Sequence, residues 1–316
     1  MIFQAINWNA PDQLDLTVWE KLNGQIWFPG EFVIDNDKKS WRTLSKDEQW
    51  LFLRVLAGLT VLDTLQAEFG APSLEVDATS KHEKAIYKNI GYMEEIHAES
   101  YSYTFQSLVG TEEIERVFRW AAENEYIQKK AGIVYEYYQG EDPHKKKIAS
   151  VLLESFLFYS GFYLPLHLNG HEKKMTNTAD LIRTIMKDEA IHGFYIGKKF
   201  EQNFGVLEEQ EKQSLKYWAA DLLTDLYINE VKYTQSLYDD FGLTEEVKKF
   251  LRYNANMAFQ NLGFDDPFPY EEIDPVIENQ LNTKGVTKDI FSGKANYAKP
   301  RKNIEMSDDD FADFDF

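Results

Sequence analysis

Apolar residues recur at three- and four-residue spacing from about Ser45 to Phe264, a stretch with few prolines. This period matches one face of an α-helix, and the two-residue alternation of a half-buried strand is almost absent. Breaks are expected at Gly70-Ala-Pro, Gly110-Thr, Gly140-Glu-Asp-Pro and Leu168-Asn-Gly. The pattern predicts an all-α protein, with long helices at residues 45–69, 80–109, 112–138, 144–167, 176–203, 207–240 and 243–262.

The two ends of the chain follow different patterns. The first 40 residues predict an arm with a short helix that packs over the bundle, and its landmarks are Trp8, Trp19, Trp27 and Pro29. From about Gly293 the chain becomes polar, and it ends in alternating acids and phenylalanines. We therefore expect a helical domain over residues 1–292 and a flexible tail over 293–316, which can dock into an apolar groove with a basic rim.

Composition limits the possible partners and chemistry. A net charge of -19 makes nucleic acid and anionic membranes poor partners, because both need a basic face. The chain has no cysteine, so a metal must bind to oxygen and imidazole groups. The first residues lack a signal-peptide pattern, and the most apolar stretch, 148–167, is interrupted by Glu154, Gly161 and Pro165. We expect a cytoplasmic protein that spans no membrane.

Two Glu-x-x-His pairs, Glu94-Glu-Ile-His97 and Glu189-Ala-Ile-His192, lie on different predicted helices. Residues three apart project from the same helix face, so each pair presents a carboxylate and an imidazole together. One such pair alone is weak evidence for a metal site. The first pair also belongs to a stripe that predicts a core-facing position, formed by Ile86, Ile90, Met93, His97 and Tyr101.

Two further helices each carry one isolated acid. Asp63 is the only charge between Arg54 and Glu68, and Glu154 is equally isolated in its own helix. A single buried acid could be a protonated residue or a hydrogen-bonding strut. With the two pairs, however, these acids match carboxylate-bridged dimetal four-helix bundles, although an aspartate stands where that template has a glutamate. The predicted ligands are Asp63, Glu94, His97, Glu154, Glu189 and His192.

The ligand types indicate a redox-active metal pair. Four carboxylates and a bridging oxide would balance two trivalent ions, and oxygen-rich ligation suits iron or manganese better than zinc. Tyr101 lies one helical turn beyond His97 on the same face, so it is the candidate for oxidation. An apolar sheath, which could also be ordinary core, is predicted from Phe158, Phe162 and Ile185.

Several long motifs identify a family. They include Trp27-Phe-Pro, Gly58-Leu-Thr-Val-Leu-Asp63-Thr-Leu-Gln66, His97-Ala-Glu-Ser-Tyr101, the run from Lys146 to Phe162, Thr176-Asn-Thr-Ala-Asp-Leu-Ile182, Asp188-Glu-Ala-Ile-His-Gly193 and Tyr253-Asn-Ala-Asn256. With these motifs, from the arm to the acidic tail, the chain resembles the ferritin-like small subunit of class I ribonucleotide reductase, most closely the class Ib form.

The resemblance implies that the six predicted ligands bind two manganese or two iron ions, bridged by oxide or hydroxide. It implies that Tyr101 carries a stable radical, that Trp27 and Asp188 relay the oxidising equivalent outward, and that Tyr297 passes it on. It further implies a homodimer whose tail after Met306 docks on the large catalytic subunit. A flavodoxin-like activating protein would assist manganese loading.

Two other functions remain open on this sequence. A dimetal oxidase or hydroxylase would need an open pocket at the metals, and a ferritin-like storage or structural bundle would need an assembly cavity; neither explains the tail. The chain also departs from its relatives at Glu95 and Glu99. Both acids should point off the ligand face, so we expect surface tuning rather than an altered metal preference.

Overall fold

The structure, a computed structural model, describes residues 3–281, and it contains no strand within that range. The predicted tail, with Tyr297, lies outside the described residues. The helices are α1 Gln13–Gly24, α2 Lys38–Trp41, α3 Lys46–Leu65, α4 Ala71–Asp77, α5 Lys81–Leu108, α6 Thr111–Glu123, α7 Glu125–Gln139, α8 Pro143–Leu152, α9 Tyr159–Glu172, α10 Thr176–Gly205, α11 Glu209–Tyr238, α12 Thr244–Asn261 and α13 Pro275–Leu281. The all-α prediction is confirmed.

Four long helical segments form the centre of the molecule. Helix α3 packs against α5 and α9, and α10 packs against α5, α8 and α9. Their facing residues are almost all apolar and buried, which gives one continuous core. Helices α6, α7, α11, α12 and α13 flank this bundle, with α11 packed against α7, α8 and α12.

Side-chain caps set where these helices begin. Ser45 accepts from the backbone N–H of Glu48 at 3.1 Å at the start of α3, and Ser80 accepts from Glu83 at 2.9 Å at the start of α5. Helix α10 has no such residue of its own. Instead, the buried carboxylate of Asp37 accepts from the first amides of α10, at 3.0 Å from Asn177 and 2.7 Å from Thr178. The arm therefore caps the helix on which one Glu-x-x-His pair lies.

The predicted breaks at Gly70 and Leu168 are wrong. Helix α3 continues through a π-helical turn, Gln66–Gly70, directly into α4. Pro72 lies in the first turn of α4, where a missing N–H is tolerated. A second π-helical turn, Leu153–Leu157, joins α8 to α9, and α9 runs to Glu172. Both turns place an extra residue in the helix next to a predicted ligand.

The single helix predicted over 112–138 is also wrong. It is divided into α6 and α7 at Asn124, whose side-chain oxygen accepts from the amides of Tyr126 at 3.1 Å and Ile127 at 3.0 Å. Asparagine competes with the helix for backbone hydrogen bonds and favours the capping position. The apolar period alone therefore hid a helix boundary.

Two helical stretches, 46–77 and 143–172, are long and apolar enough to cross a membrane. In the folded chain their most apolar windows are 72% and 100% buried against other protein segments. This burial agrees with the expectation that residues 148–167 form a core helix.

The N-terminal arm packs on the bundle as predicted, with α1 against α5 and α10. Trp8 stacks on Trp19 with ring centroids 4.8 Å apart. The buried Asp15 accepts from Lys199 Nζ at 2.6 Å and from the Tyr195 hydroxyl at 2.9 Å. A buried ion pair therefore ties α1 to α10.

Candidate metal centre

Six predicted ligands meet in the middle of the bundle. Asp63 comes from α3, Glu154 from the second π-helical turn, and the two Glu-x-x-His pairs from α5 and α10. None of the six side chains is exposed. Their donor atoms form two groups, each within 4.8 Å, namely Asp63, Glu94, His97 and Glu189, and Glu94, Glu154, Glu189 and His192.

The first group surrounds the Nδ1 atom of His97. This nitrogen lies 2.9 Å from Glu189 Oε1, 3.4 Å from Asp63 Oδ1 and 3.5 Å from Glu94 Oε2. The second group surrounds Nδ1 of His192, which lies 2.8 Å from Glu94 Oε1, 3.3 Å from Glu189 Oε2 and 3.6 Å from Glu154 Oε2. Glu94 and Glu189 therefore direct one oxygen to each imidazole, whereas Asp63 and Glu154 each serve one side.

The chemistry of this donor set fits a pair of cations. Both oxygens of Asp63, Glu94 and Glu189, and Oε2 of Glu154, lack a well-directed hydrogen bond although they are fully buried. Four buried carboxylates with seven oxygens that lack such a bond carry a large desolvation cost unless positive charge or protons offset it. Two of the acids belong to both four-ligand groups, and each group has one further acid and one imidazole. Such oxygen-rich ligation suits two iron or manganese ions.

The electrostatics reflect this excess of negative charge. Burial raises the pKa of Asp63 and of Glu154 well above the ordinary values, and neighbouring acids add to both shifts. Burial would lower the pKa of His97, but Glu189, with Asp188 and Asp63, raises that pKa well above 6.5. Without cations, protons must therefore balance much of the charge.

Tyr101 is packed beside this cluster. Its side chain is fully buried and its hydroxyl has no hydrogen-bond partner among the described residues. Burial raises the pKa of Tyr101 well above 10, and the charge of Asp63 is the next largest cause. The phenol is therefore protonated, shielded from bulk solvent and within electrostatic reach of the cluster.

Trp27 and Asp188 connect His97 to the arm. The Trp27 indole Nε1–H donates to Asp188 Oδ2 at 2.7 Å, and the same oxygen lies 3.2 Å from His97 Nε2. Gln25 Nε2 donates to the other oxygen at 2.6 Å, and the Trp27 and His97 rings stack 5.9 Å apart. A carboxylate on the far nitrogen of a metal-binding histidine fixes its tautomer and orientation.

The other sequence predictions concern the surroundings. The stripe residues of α5 are buried as expected, and so is the sheath formed by Phe158, Phe162 and Ile185. Glu95 and Glu99 are not buried, as predicted for positions off the ligand face.

One group of polar residues at the cluster was missed. Gln66 donates to Glu154 Oε1, and it is joined by Tyr138 and Ser150. Gln66 lies three residues after Asp63, and this spacing places both side chains on one helix face. The spacing could have indicated that Gln66 lies at the cluster. Tyr138 is 72 residues away in sequence and gave no local signal.

An oxidase or hydroxylase needs an open pocket at the metals. Here the position beside the cluster is filled by Tyr101. Two cavities of about 400 and 350 Å³, lined by described residues, lie around His144 and Leu207, and neither contains a residue of the cluster. No observation favours the oxidase alternative.

Known proteins resemble the chain over almost its whole length. The profile of the family "Ribonucleotide reductase, small chain" matches residues 5–275. The ribonucleoside-diphosphate reductase beta subunit of Mycobacterium leprae is 49% identical over 311 residues, which are 97% of this chain and 95% of the relative. The beta subunit of ribonucleoside-diphosphate reductase 2 of Escherichia coli is 46% identical over 311 residues, 97% of each chain.

A solved structure agrees with these relatives. The X-ray structure of Streptococcus sanguinis dimanganese(II)-NrdF has a TM-score of 0.87 and 48% sequence identity, and the match covers 89% of this chain and 100% of that one. The ferritin-like fold prediction is therefore confirmed. The family profile and these relatives together show that the chain belongs to the ribonucleotide reductase small-chain family.

Proposed function

We propose that the buried cluster binds two manganese or two iron ions, bridged by oxide or hydroxide, and that Tyr101 stores the oxidising equivalent as a radical. The single observation that carries the proposal is the pair of four-ligand groups sharing Glu94 and Glu189. The similar Streptococcus sanguinis protein is a dimanganese(II) form, which supports manganese as one occupant. The proposed ligands are Asp63, Glu94, His97, Glu154, Glu189 and His192.

Family membership sets the context of this chemistry. The chain is the small subunit of ribonucleoside-diphosphate reductase, an oxidoreductase, and the family implies a large catalytic subunit as partner and a dimeric small subunit. The chain has no cysteine, so any thiol that the reduction needs must come from another chain. The task of this subunit is therefore to generate and export an oxidising equivalent.

The residues around Tyr101 explain how a radical could be stored. Once bound and oxidised by an external oxidant, the metal pair would supply the one-electron oxidising power. Tyr101 would give one electron to that oxidised pair and its hydroxyl proton to a nearby base, for which Asp63, the acid with the largest electrostatic effect on the phenol, is the candidate. The surrounding apolar side chains exclude water and external reductants, because the phenol has no exposed surface.

The proposed exit runs from His97 through Asp188 to Trp27. Asp188 accepts from both neighbours at one oxygen, so it can hold their protons in fixed positions while an electron moves inward. Trp27 is the outermost member of this set and belongs to the arm. We propose that Tyr297, outside the described residues, passes the equivalent to the large subunit.

The test is electron paramagnetic resonance of the full chain after reconstitution with each metal. We expect a tyrosyl signal in the wild type that is absent in Tyr101→Phe, while both proteins bind two ions per chain. Tyr103→Phe, two residues along the same helix, is the matched control and should keep the signal. Full reductase activity of Tyr101→Phe with the large subunit would contradict the radical assignment.

We also propose that the tail docks on the large subunit, that a flavodoxin-like protein activates the manganese form, and that the protein works in the cytoplasm. The alternating acids and phenylalanines of residues 308–316 support a docking segment. Deleting Asp308 to Phe316 should abolish association with the large subunit in a sedimentation assay and leave the metal spectrum unchanged. Unchanged affinity would refute this role.

A further inference from the structure

Gln66 is a buried amide in contact with one side of the cluster. It has no exposed surface, and its Nε2 donates both to Glu154 Oε1 and to Ser150 Oγ, the latter at 3.2 Å. An amide nitrogen offers two protons, so these two contacts use its full donor capacity. Gln66 therefore uses one lone pair of Glu154 Oε1 and leaves Oε2 as the oxygen of Glu154 without a hydrogen bond.

The orientation of this amide is fixed by Tyr138. The Tyr138 hydroxyl donates to Gln66 Oε1 at 2.6 Å, and it lies 2.9 Å from Ser150 Oγ. The three side chains form a closed ring of hydrogen bonds, in which a flipped amide would face the Tyr138 proton with its own donors. The ring therefore turns the amide nitrogen, and not its oxygen, toward Glu154.

Glu154 differs from the other acids because of this contact. Its Oε1 is taken by Gln66, and only Oε2 is left without a hydrogen bond. Glu94 and Glu189, in contrast, have both oxygens free of hydrogen bonds and divide them between the two imidazoles. Glu154 thus has one oxygen free of hydrogen bonds, whereas Glu94 and Glu189 each have two.

The backbone makes room for this arrangement. Gln66 begins one π-helical turn, and Glu154 lies in the other, so both partners are carried on widened turns. A Cβ added at Gly70 would lie 1.8 Å from Gln66 Oε1, which leaves no space for a larger residue while the ring is intact. Gly70 and the two π-helical turns together leave room for the contact between Gln66 and Glu154.

We infer that Gln66 is a positioning residue that keeps Glu154 a single-oxygen ligand of one metal site, the site it forms with Glu94, Glu189 and His192. This inference rests on the proposed function, since it requires the cluster to bind two ions. The hydrogen bonds of the Gln66 side chain reach Glu154 on one side of the cluster, so its effect should fall on one ion of the pair. Loss of such an outer partner typically weakens metal binding by about 10–100-fold.

The experiment is a manganese(II) titration of the metal-free full chain, followed by electron paramagnetic resonance. Wild type should bind two ions and develop the signal of a coupled pair. Gln66→Met, which keeps the side-chain length, should bind one ion with unchanged affinity and the second about 10–100-fold more weakly. At one added equivalent it should therefore show the six-line signal of an isolated ion.

Two matched variants separate positioning from general damage to the core. Asn229→Leu removes another buried amide, which donates to the Tyr126 carbonyl at 2.9 Å, and should leave both ions unaffected. Tyr138→Phe removes the hydrogen bond that orients the Gln66 amide but keeps the amide itself. It should lower the affinity for the same second ion. Its control is Tyr238→Phe, which deletes a buried hydroxyl that donates to the Ser160 carbonyl at 2.7 Å.

The outcomes are distinguishable. A lower affinity for one manganese ion only, in Gln66→Met or in Tyr138→Phe, supports the inference. An equal loss of affinity for both ions, or affinities in both variants that match the wild type, overturns the inference and leaves the proposed function intact. Failure of the wild type to bind two ions removes the proposed function, and the inference with it.

Discussion

The Trp27 indole and the Asp188 carboxylate, 161 residues apart in sequence, are joined by a buried hydrogen bond of 2.7 Å. The oxygen that receives it also faces His97 Nε2 at 3.2 Å. One atom therefore links the arm to the metal cluster. If this link carries charge, weakening it should affect export of the radical more than its formation.

Trp27→Phe removes the Nε1–H and keeps an aromatic ring. We expect the Tyr101 radical to form, while deoxyribonucleotide production with the large subunit falls by about 10–100-fold. Electron paramagnetic resonance measures the first and a turnover assay the second. Trp41→Phe, which alters a buried tryptophan packed on Phe52, is the control. Normal turnover in Trp27→Phe would exclude the route.

Gly197 allows α10 to approach α12 closely. A Cβ at this position would lie 2.1 Å from the backbone oxygen of Asn261, which cannot rotate away. Gly197→Ala should therefore lower the free energy of unfolding by about 1–3 kcal/mol, as measured by urea denaturation. Gly132→Ala, in α7 with nothing within 4 Å, should instead raise it by about 0.5–1 kcal/mol. Similar effects at both positions would refute the packing argument.

Lys130 and Glu230 form a buried ion pair between α7 and α11, with 2.6 Å between Nζ and Oε1. Ser160 Oγ also donates to Glu230 at 2.7 Å. Lys130→Met should cost about 3–5 kcal/mol of unfolding free energy, because it leaves the Glu230 charge buried without its partner. The double variant Lys130→Met/Glu230→Leu should recover most of this loss. Simple additivity of the two single changes would show that the pair is not coupled.

His167 should make the protein sensitive to acid. Burial, and then the neighbouring His171, lower the pKa of His167 below 6.5. The folded state therefore binds this proton less readily than the unfolded state, so stability is lost as the pH falls below 6.5. His167→Gln should show a smaller loss of unfolding free energy between pH 7 and pH 5.5 than the wild type. An identical pH dependence in urea titrations would contradict this.

The clustering of the six candidate ligands could be predicted from sequence because these residues repeat local patterns. Glu94 with His97, and Glu189 with His192, share a spacing that places both side chains on one helix face. Asp63 and Glu154 were visible as single charges in apolar helices, where an unpaired acid is costly. Each signal lies within one helix, and the fold only had to bring the helices together.

Other features could not be predicted in this way. The π-helical turns at Gln66–Gly70 and Leu153–Leu157 keep the apolar pattern, so no local residue marks them. Lys130 and Glu230 form their ion pair although they are 100 residues apart in sequence. In the sequence alone, each looks like an ordinary surface residue. The cap at Asn124 was readable in principle, but the apolar period on both sides concealed it.

Asp15 and Asp37 fasten the arm to α10, through Lys199 and through the first amides of that helix. Trp27 travels with the arm, whereas its hydrogen-bond partner stays with the bundle. The proposed relay from His97 through Asp188 to Trp27 therefore depends on the packing of the arm on the bundle, because no single helix carries all three residues. Displacing the arm from the bundle would break the hydrogen bond between Trp27 and Asp188 and would leave the six candidate ligands, which all lie on bundle helices, in place.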